Sequence, residues 1–351
     1  MYKKFLLTLV ILLSAHQASE ADDAGLSPAK VKTLGEIAAS IQDTMAQKSL
    51  NKEEEAKKSL NISRLIGQAD SLLLEIKAIY GSDNRKEFKD GAPIEKQAAD
   101  SVAAFMESTS LIAEDGGKNF RINGSETRFC TPEQAANAGK PPEAFFDQKA
   151  AAYCTGFKVG KDLIATAGHC IKSKSDCAQA KIVFKFRVEN DSIFTSKVSA
   201  DDVFQCKEMV DGDIGQNGSD WRIIRVDREM SKQPTVKLRA SGAVPINAPL
   251  TVIGHPTGLP AKIAPGATVR EIKEKFFVTN SDTYAGNSGS AVFNSSELGK
   301  GNLLVEGILV RGEADFEVVN NGECRVSKRC PLDGCRGEDV THASVFASKA
   351  R

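Results

Sequence analysis

The chemistry of this chain begins in eight residues, Thr283-Tyr284-Ala285-Gly286-Asn287-Ser288-Gly289-Ser290. Small residues surround a serine that stands two positions after one glycine and directly before another. The stretch reads either as a flexible loop or as a backbone bent around a nucleophile. Serine is a weak nucleophile at neutral pH. It needs an adjacent base, usually histidine, and a third group that holds that base in the right tautomer. Behind the N-terminal leader described below, the chain offers three histidines as base: His169, His255 and His342.

His169 follows the strand-like run "DLIATAG" in "LIATAGHC". The small residues before it let the backbone pack closely while the imidazole projects. Cys154 lies 15 residues upstream and Cys170 is the next residue. A Cys154–Cys170 bridge would staple the "YCTGF" strand to the turn carrying His169 and fix the ring on a rigid frame. The third group should be a carboxylate beside an apolar strand. "SDWRIIRVD" offers Asp220, followed by Trp221, Ile223, Ile224 and Val226. On its own, Asp220 reads equally as an ordinary strand-start residue. His255, in "VIGHPTGLP", sits in a turn before a proline and reads as structural, with a rim contact to substrate as the alternative. His342, near the C-terminus, reads as a surface residue.

"TAGHC", "DWRIIRVD" and "GNSGSAVF", in that order, resemble the chymotrypsin-fold, trypsin-like serine peptidases, in the texture of the bacterial branch that holds the glutamyl endopeptidases. The resemblance covers roughly residues 79 to 315. It implies Ser288 as nucleophile, His169 as general base and later acid, and Asp220 as the orienting carboxylate. It also implies the Cys154–Cys170 disulfide beside the histidine. The backbone N–H groups of Gly286 and Ser288 would form the oxyanion hole. No cofactor is required by this chemistry, and no metal is expected: the spacing of Cys324, Cys330 and Cys335 lacks the close pairs of structural zinc sites.

The sequence departs from the family pattern in places. Many animal members carry Asp just before the nucleophile, where it pairs with the amine freed on zymogen cleavage. Here the position is Asn287, which cannot make that ion pair. Asp282, six residues before Ser288, stands where trypsin keeps the carboxylate that selects Arg and Lys, although "DTY" also resembles the glutamyl endopeptidases. Leu309 stands where their glutamate-reading His is expected, which disfavours Glu specificity. Val310, Arg311 and Gly312 would line the substrate groove, with Gly312 permitting strand-like pairing to substrate backbone. Arg311 either favours acidic groups in the substrate or points outward into solvent.

These residues need a frame. Lys3 and Lys4 precede the apolar run Phe5–Ser14, and Ser19 and Ala21 suit a signal peptidase, so residues 1–21 read as a cleaved secretory signal. A run of about ten apolar residues is too short to span a bilayer. No cysteine follows it, so no lipid anchor is expected. Residues 22–78 read as helical, from Leu34, Ile37, Ile41 and Met45 and then Leu65, Ile66, Leu72, Leu73 and Ile76. "IYGSDNRKEF", from Ile79, resembles the start of the mature chain in the glutamyl endopeptidase group. The helical segment is therefore expected to be a pro-segment removed near Ala78, or else an accessory region.

From residue 79 the texture becomes short strands ended by Gly, Pro or Asn. "KIVFKFRV" alternates Ile182, Phe184, Phe186 and Val188 against Lys185 and Arg187, as a half-buried strand does. The expected fold is all-β: two antiparallel six-stranded barrels, about 79–230 and 231–315, then a cysteine-rich extension over 316–351. Eight cysteines in an exported chain suggest disulfides. Cys177–Cys206 is the first choice beyond Cys154–Cys170, and one tail cysteine is expected to reach Cys130.

Lys+Arg and Asp+Glu both number 46, so no charge excess points to nucleic acid or an anionic membrane. The expected protein is an exported serine endopeptidase, secreted or periplasmic, monomeric, acting on protein or peptide substrates. A catalytically silent binding protein on the same fold is the alternative. A disulfide-rich adhesion domain, in which "GNSG" is only a turn, is a more distant rival.

Overall fold

A computed structural model describes residues 78–190, 197–215, 218–313, 315–319 and 323–350, with scattered positions between 36 and 62. The leader and most of the segment 22–78 lie outside the described residues. The described positions of that segment, such as 39–41 and 43–46, are helical. The chain divides into two compact units, 1–76 and 77–351, and the second holds every strand described below.

Six strands close the first barrel: β1 (Val102–Glu107), β2 (Ala152–Lys158), β3 (Leu163–Thr166), β4 (Ala180–Phe184), β5 (Val203–Ile214) and β6 (Asp220–Val226). They pair in the order β4-β5-β6-β3-β2-β1, and β1 returns antiparallel to β4 with Phe105 opposite Ile182. Closure removes the exposed edges that a free sheet would present. Phe105, Phe157, Ile182, Phe204 and Ile223 lie in its apolar core.

"KIVFKFRV" is a strand only to Phe184. Lys185 turns to φ 62°, which ends the extended run, though Phe186 and Val188 stay buried. Arg187, expected to face solvent, is buried instead. It pairs with Asp100 at 2.6 Å and lies over the Phe88 ring.

The second barrel contains β7 (Pro249–Gly254), β8 (Lys262–Ile272), β9 (Phe276–Thr279), β10 (Ala291–Asn294), β11 (Leu304–Arg311) and β12 (Glu338–His342). The order is β11-β10-β7-β8-β9-β12, and β12 closes onto β11 with Val340 opposite Leu309. This corrects the expected boundary at 315: the cysteine-rich tail supplies the strand that closes the barrel. Every residue of "EDVTH" is buried, a short run that cysteines and charges conceal in the sequence. His342, expected on the surface, is therefore buried at the end of β12. Its Nε2 lies 3.1 Å from the Lys273 carbonyl, and burial lowers its pKa.

The start of the domain also docks on barrel two rather than barrel one. Ile79–Tyr80 pairs in parallel with Arg329–Cys330, and Lys86–Glu87 pairs with β8. Four disulfides tie the unit: Cys154–Cys170, Cys177–Cys206, Cys130–Cys324 and Cys330–Cys335. The first two are the pairings expected from the sequence, and Cys130 does take a tail cysteine. The main apolar cluster continues from barrel one into Ile253, Ala291, Ile308 and Val310 of barrel two, so the barrels share one core.

Candidate active site

His169 sits on a single 3-10 turn, Gly168–Cys170, directly after β3. Its neighbour Cys170 is tied to Cys154 on β2, so two adjacent strands fix the turn. Asp220 opens β6, which pairs with β3 through Arg222 and Thr166. The pairing carries the carboxylate to the imidazole: Asp220 Oδ2 lies 2.6 Å from His169 Nδ1, and Oδ1 accepts the His169 backbone N–H at 3.0 Å. The Asp220 backbone is itself bracketed by Thr341 of β12. Thr341 Oγ1 accepts its N–H at 3.1 Å and donates to its carbonyl at 3.2 Å.

Burial alone would push the Asp220 carboxyl up. The His169 ring, the hydrogen bonds from its ring and backbone, and Arg311 outweigh that and hold the carboxyl below its usual range. An ionised carboxylate can only accept, so His169 Nδ1 carries the proton and Nε2 holds the basic lone pair.

Ser288 lies on the loop between β9 and β10. Its carbonyl accepts the Thr155 N–H at 2.8 Å, and its Oγ lies 3.4 Å from the Val310 carbonyl. Its carbonyl also lies 3.6 Å from Cys170 Sγ, beside the histidine turn. The loop is tightly braced. Thr155 Oγ1 donates to the Gly286 carbonyl at 2.8 Å and accepts the His255 N–H at 3.1 Å. Thr257 N–H donates to the Ala285 carbonyl at 2.5 Å.

The N–H and C=O of one trans peptide point opposite ways. Anchoring the Ala285 carbonyl inward therefore turns the Gly286 N–H the other way. Gly286 has φ 90°, and a Cβ there would come within 2.5 Å of the His255 carbonyl. Gly289, also at φ 90°, is packed so closely that a Cβ would lie 1.9 Å from the Thr155 carbonyl. Both glycines are required by the loop's path.

His255 is buried as expected of a structural residue. Its Nδ1 lies 3.0 Å from the Leu259 carbonyl and its ring stacks on Phe186. Burial pushes its pKa down to about 3.

The expected pocket residues divide. Asp282 is buried and faces the chain near Tyr80: Oδ1 accepts the Tyr80 N–H at 2.7 Å and Oδ2 the Asn84 N–H at 2.9 Å. Burial raises its carboxyl to about 6. The Leu309 side chain belongs to the barrel-two core with Val252, Phe277 and Val340. Val310 is buried in the core that the barrels share. Arg311 is half-buried and pairs with Asp339 at 2.9 Å, so it is neither free for substrate nor simply solvated. Gly312 lies against the buried carboxylate of Glu338. Thr155, Thr341 and Glu338 were not singled out in the sequence. Only Thr155 had a signal, its place in the "YCTGF" strand that the bridge was expected to staple.

An all-β fold of two closed six-stranded antiparallel barrels, with a histidine–carboxylate pair and a braced serine loop, has the architecture of the chymotrypsin-like class. Residues 154–300 match the family model described as a trypsin-like peptidase domain, and that segment contains all three motifs.

No curated protein matches the chain in sequence. Among solved structures it is similar to a Glu endopeptidase in complex with MPD, with 17% identity, TM-score 0.43, and 78% of this chain and 100% of that one covered. It is also similar to the active form of the Rv3671c protease from M. tuberculosis, with 15% identity, TM-score 0.40, and coverage of 73% and 82%. A third is the Vibrio cholerae VesB protease, with 13% identity, TM-score 0.41, and coverage of 76% and 65%.

Proposed function

We propose that the protein is an exported serine endopeptidase in which Ser288, His169 and Asp220 form the catalytic triad. The observation that carries this reading is the 2.6 Å contact between His169 Nδ1 and a buried, ionised Asp220, which leaves Nε2 as base. Nε2 takes the Ser288 hydroxyl proton as Oγ attacks the substrate carbonyl. Asp220 stabilises the imidazolium so formed. The N–H groups of Gly286 and Ser288 receive the oxyanion, a donor pair whose single members are typically worth about 3 kcal/mol in the transition state. His169 then gives its proton to the leaving amine. Water, activated by the same nitrogen, hydrolyses the acyl-enzyme.

Export through the N-terminal signal agrees with four disulfides and no free cysteine among the described residues. No helix among the described residues is long and apolar enough to cross a membrane. Removal of residues 22–78 and a monomeric state complete the proposal.

The test is cleavage of a denatured protein substrate by the purified chain. Wild type is expected to hydrolyse it, and Ser288→Ala to fall to background. Equal rates would remove Ser288 from the mechanism.

A further inference from the structure

The first described residues of the second unit lead to a carboxylate that the triad does not use. Glu338, at the start of β12, is 0% exposed. Its Oε1 accepts the Ala78 N–H at 3.3 Å, the Tyr80 hydroxyl at 3.3 Å and the Glu313 N–H at 3.2 Å. Its Oε2 accepts the Thr283 hydroxyl at 3.1 Å. It fits against Gly312 only because that residue has no side chain: a Cβ there would lie 1.9 Å from Oε2. The Ala78 carbonyl, in turn, accepts the Thr283 N–H at 3.3 Å. Ala78 and Glu338 are thus joined to Thr283, the first residue of the stretch that leads to Ser288.

The residue before Ala78 is Lys77, and the unit boundary falls between 76 and 77. We propose that the chain is processed by hydrolysis of the Lys77–Ala78 bond, and that the ammonium freed on Ala78 pairs with Glu338. This rests on the reading that the N-terminal segment is removed, and it moves the bond one residue ahead of the boundary expected at 78.

The step balances. Water adds across the amide, Lys77 leaves as a carboxylate, and Ala78 becomes an amine that takes a proton. A peptidase that cuts after lysine catalyses it before residues 78–80 seat.

A cut one residue later would free the amine on Ile79, whose N–H faces the Lys328 carbonyl at 3.1 Å. An ammonium is held far better by a buried carboxylate than by a neutral carbonyl. Glu338 thereby takes the part that Asn287 cannot: it ties a new N-terminus to the loop that carries the nucleophile.

The full chain is expressed with its leader, and the N-terminus of the processed protein is sequenced. A start at Ala78 is expected. A start at Ile79 leaves removal of the segment standing and overturns this inference. A chain still beginning near Asp22 overturns both.

The processed protein is then labelled at its α-amine with an acylating reagent at neutral pH and followed by mass spectrometry. Pairing with Glu338 predicts labelling about tenfold slower in wild type than in Glu338→Gln, the effect of a one-unit rise in the amine pKa. Equal rates overturn the pairing. Glu338→Asp keeps the charge but withdraws it by one methylene, and guards against a Gln variant that fails to fold. It is expected to label at an intermediate rate, and a rate equal to wild type also overturns the pairing. Ser288→Ala, processed at Lys77 by an added lysine-specific peptidase, should be protected as wild type is, so the labelling result stands apart from the serine-peptidase reading.

Discussion

Asp220 is held through its side chain by His169 and through its backbone by Thr341, one partner from each barrel. In the proposed triad its task is to keep the proton on His169 Nδ1. Asp220→Asn puts an amide where a carboxylate was, which permits the wrong imidazole tautomer while leaving the pairing of β6 intact. The expected outcome is a kcat about 10⁴-fold lower with an unchanged far-ultraviolet spectrum, measured on a peptide ester or amide. His169, Asp220 and Ser288 could be nominated from the sequence as the proposed triad because histidines are few and each candidate sits in a motif, and the 2.6 Å contact of His169 with Asp220 agrees with that nomination. Thr155 and Thr341 could not be nominated in this way. Thr155 reaches Gly286 across 131 positions and Thr341 reaches Asp220 across 121, contacts that local spacing does not encode.

The element that decides the site is the loop from Thr283 to Ser290. Its two left-handed glycines sit where neighbouring backbone leaves no room. Gly289→Ala would force a Cβ into the Thr155 carbonyl and strain a φ of 90°, so it is expected to cost about 1–3 kcal/mol or more of stability. Thermal unfolding and activity should fall together. A variant with wild-type stability and activity would show that the loop is not braced on β2.

The glycines were visible in the sequence, but the brace was not, since Thr155 belongs to the other barrel. The tail was misread for a related reason. β12 is only five residues long and follows a cysteine-rich run, so its role appears only when it pairs with β9 and β11. The reading of "KIVFKFRV" as one strand failed at Lys185, whose left-handed backbone breaks an alternation that continues in burial.

Across the whole molecule, two buried carboxylates respond to pH in opposite senses. Folding raises Asp282 from 3.8 to about 6. Its protonated form is favoured in the fold, so the stability it adds is full below the ordinary value and is lost as pH rises towards about 6. Folding lowers Asp220, so its contribution is present above the ordinary value and is lost as pH falls. Urea unfolding of wild type and Asp282→Asn from about pH 4 to pH 6 should therefore differ in slope, by a total on the order of 2 kcal/mol. Parallel curves would show that Asp282 is not desolvated. The two-barrel fold was legible from the density of short apolar runs and turn residues. The docking of residues 79–87 on barrel two was not, because that segment forms only short pairings with distant partners.

The proposed mechanism stands or falls with Ser288 as an activated nucleophile. A fluorophosphonate probe tests it most directly, applied to the processed wild type, Ser288→Ala and His169→Ala at equal concentration. One probe per wild-type chain, attached at Ser288, is expected, with no labelling of Ser288→Ala and labelling slower by orders of magnitude in His169→Ala. Equal labelling of wild type and Ser288→Ala, or none of wild type, would contradict it.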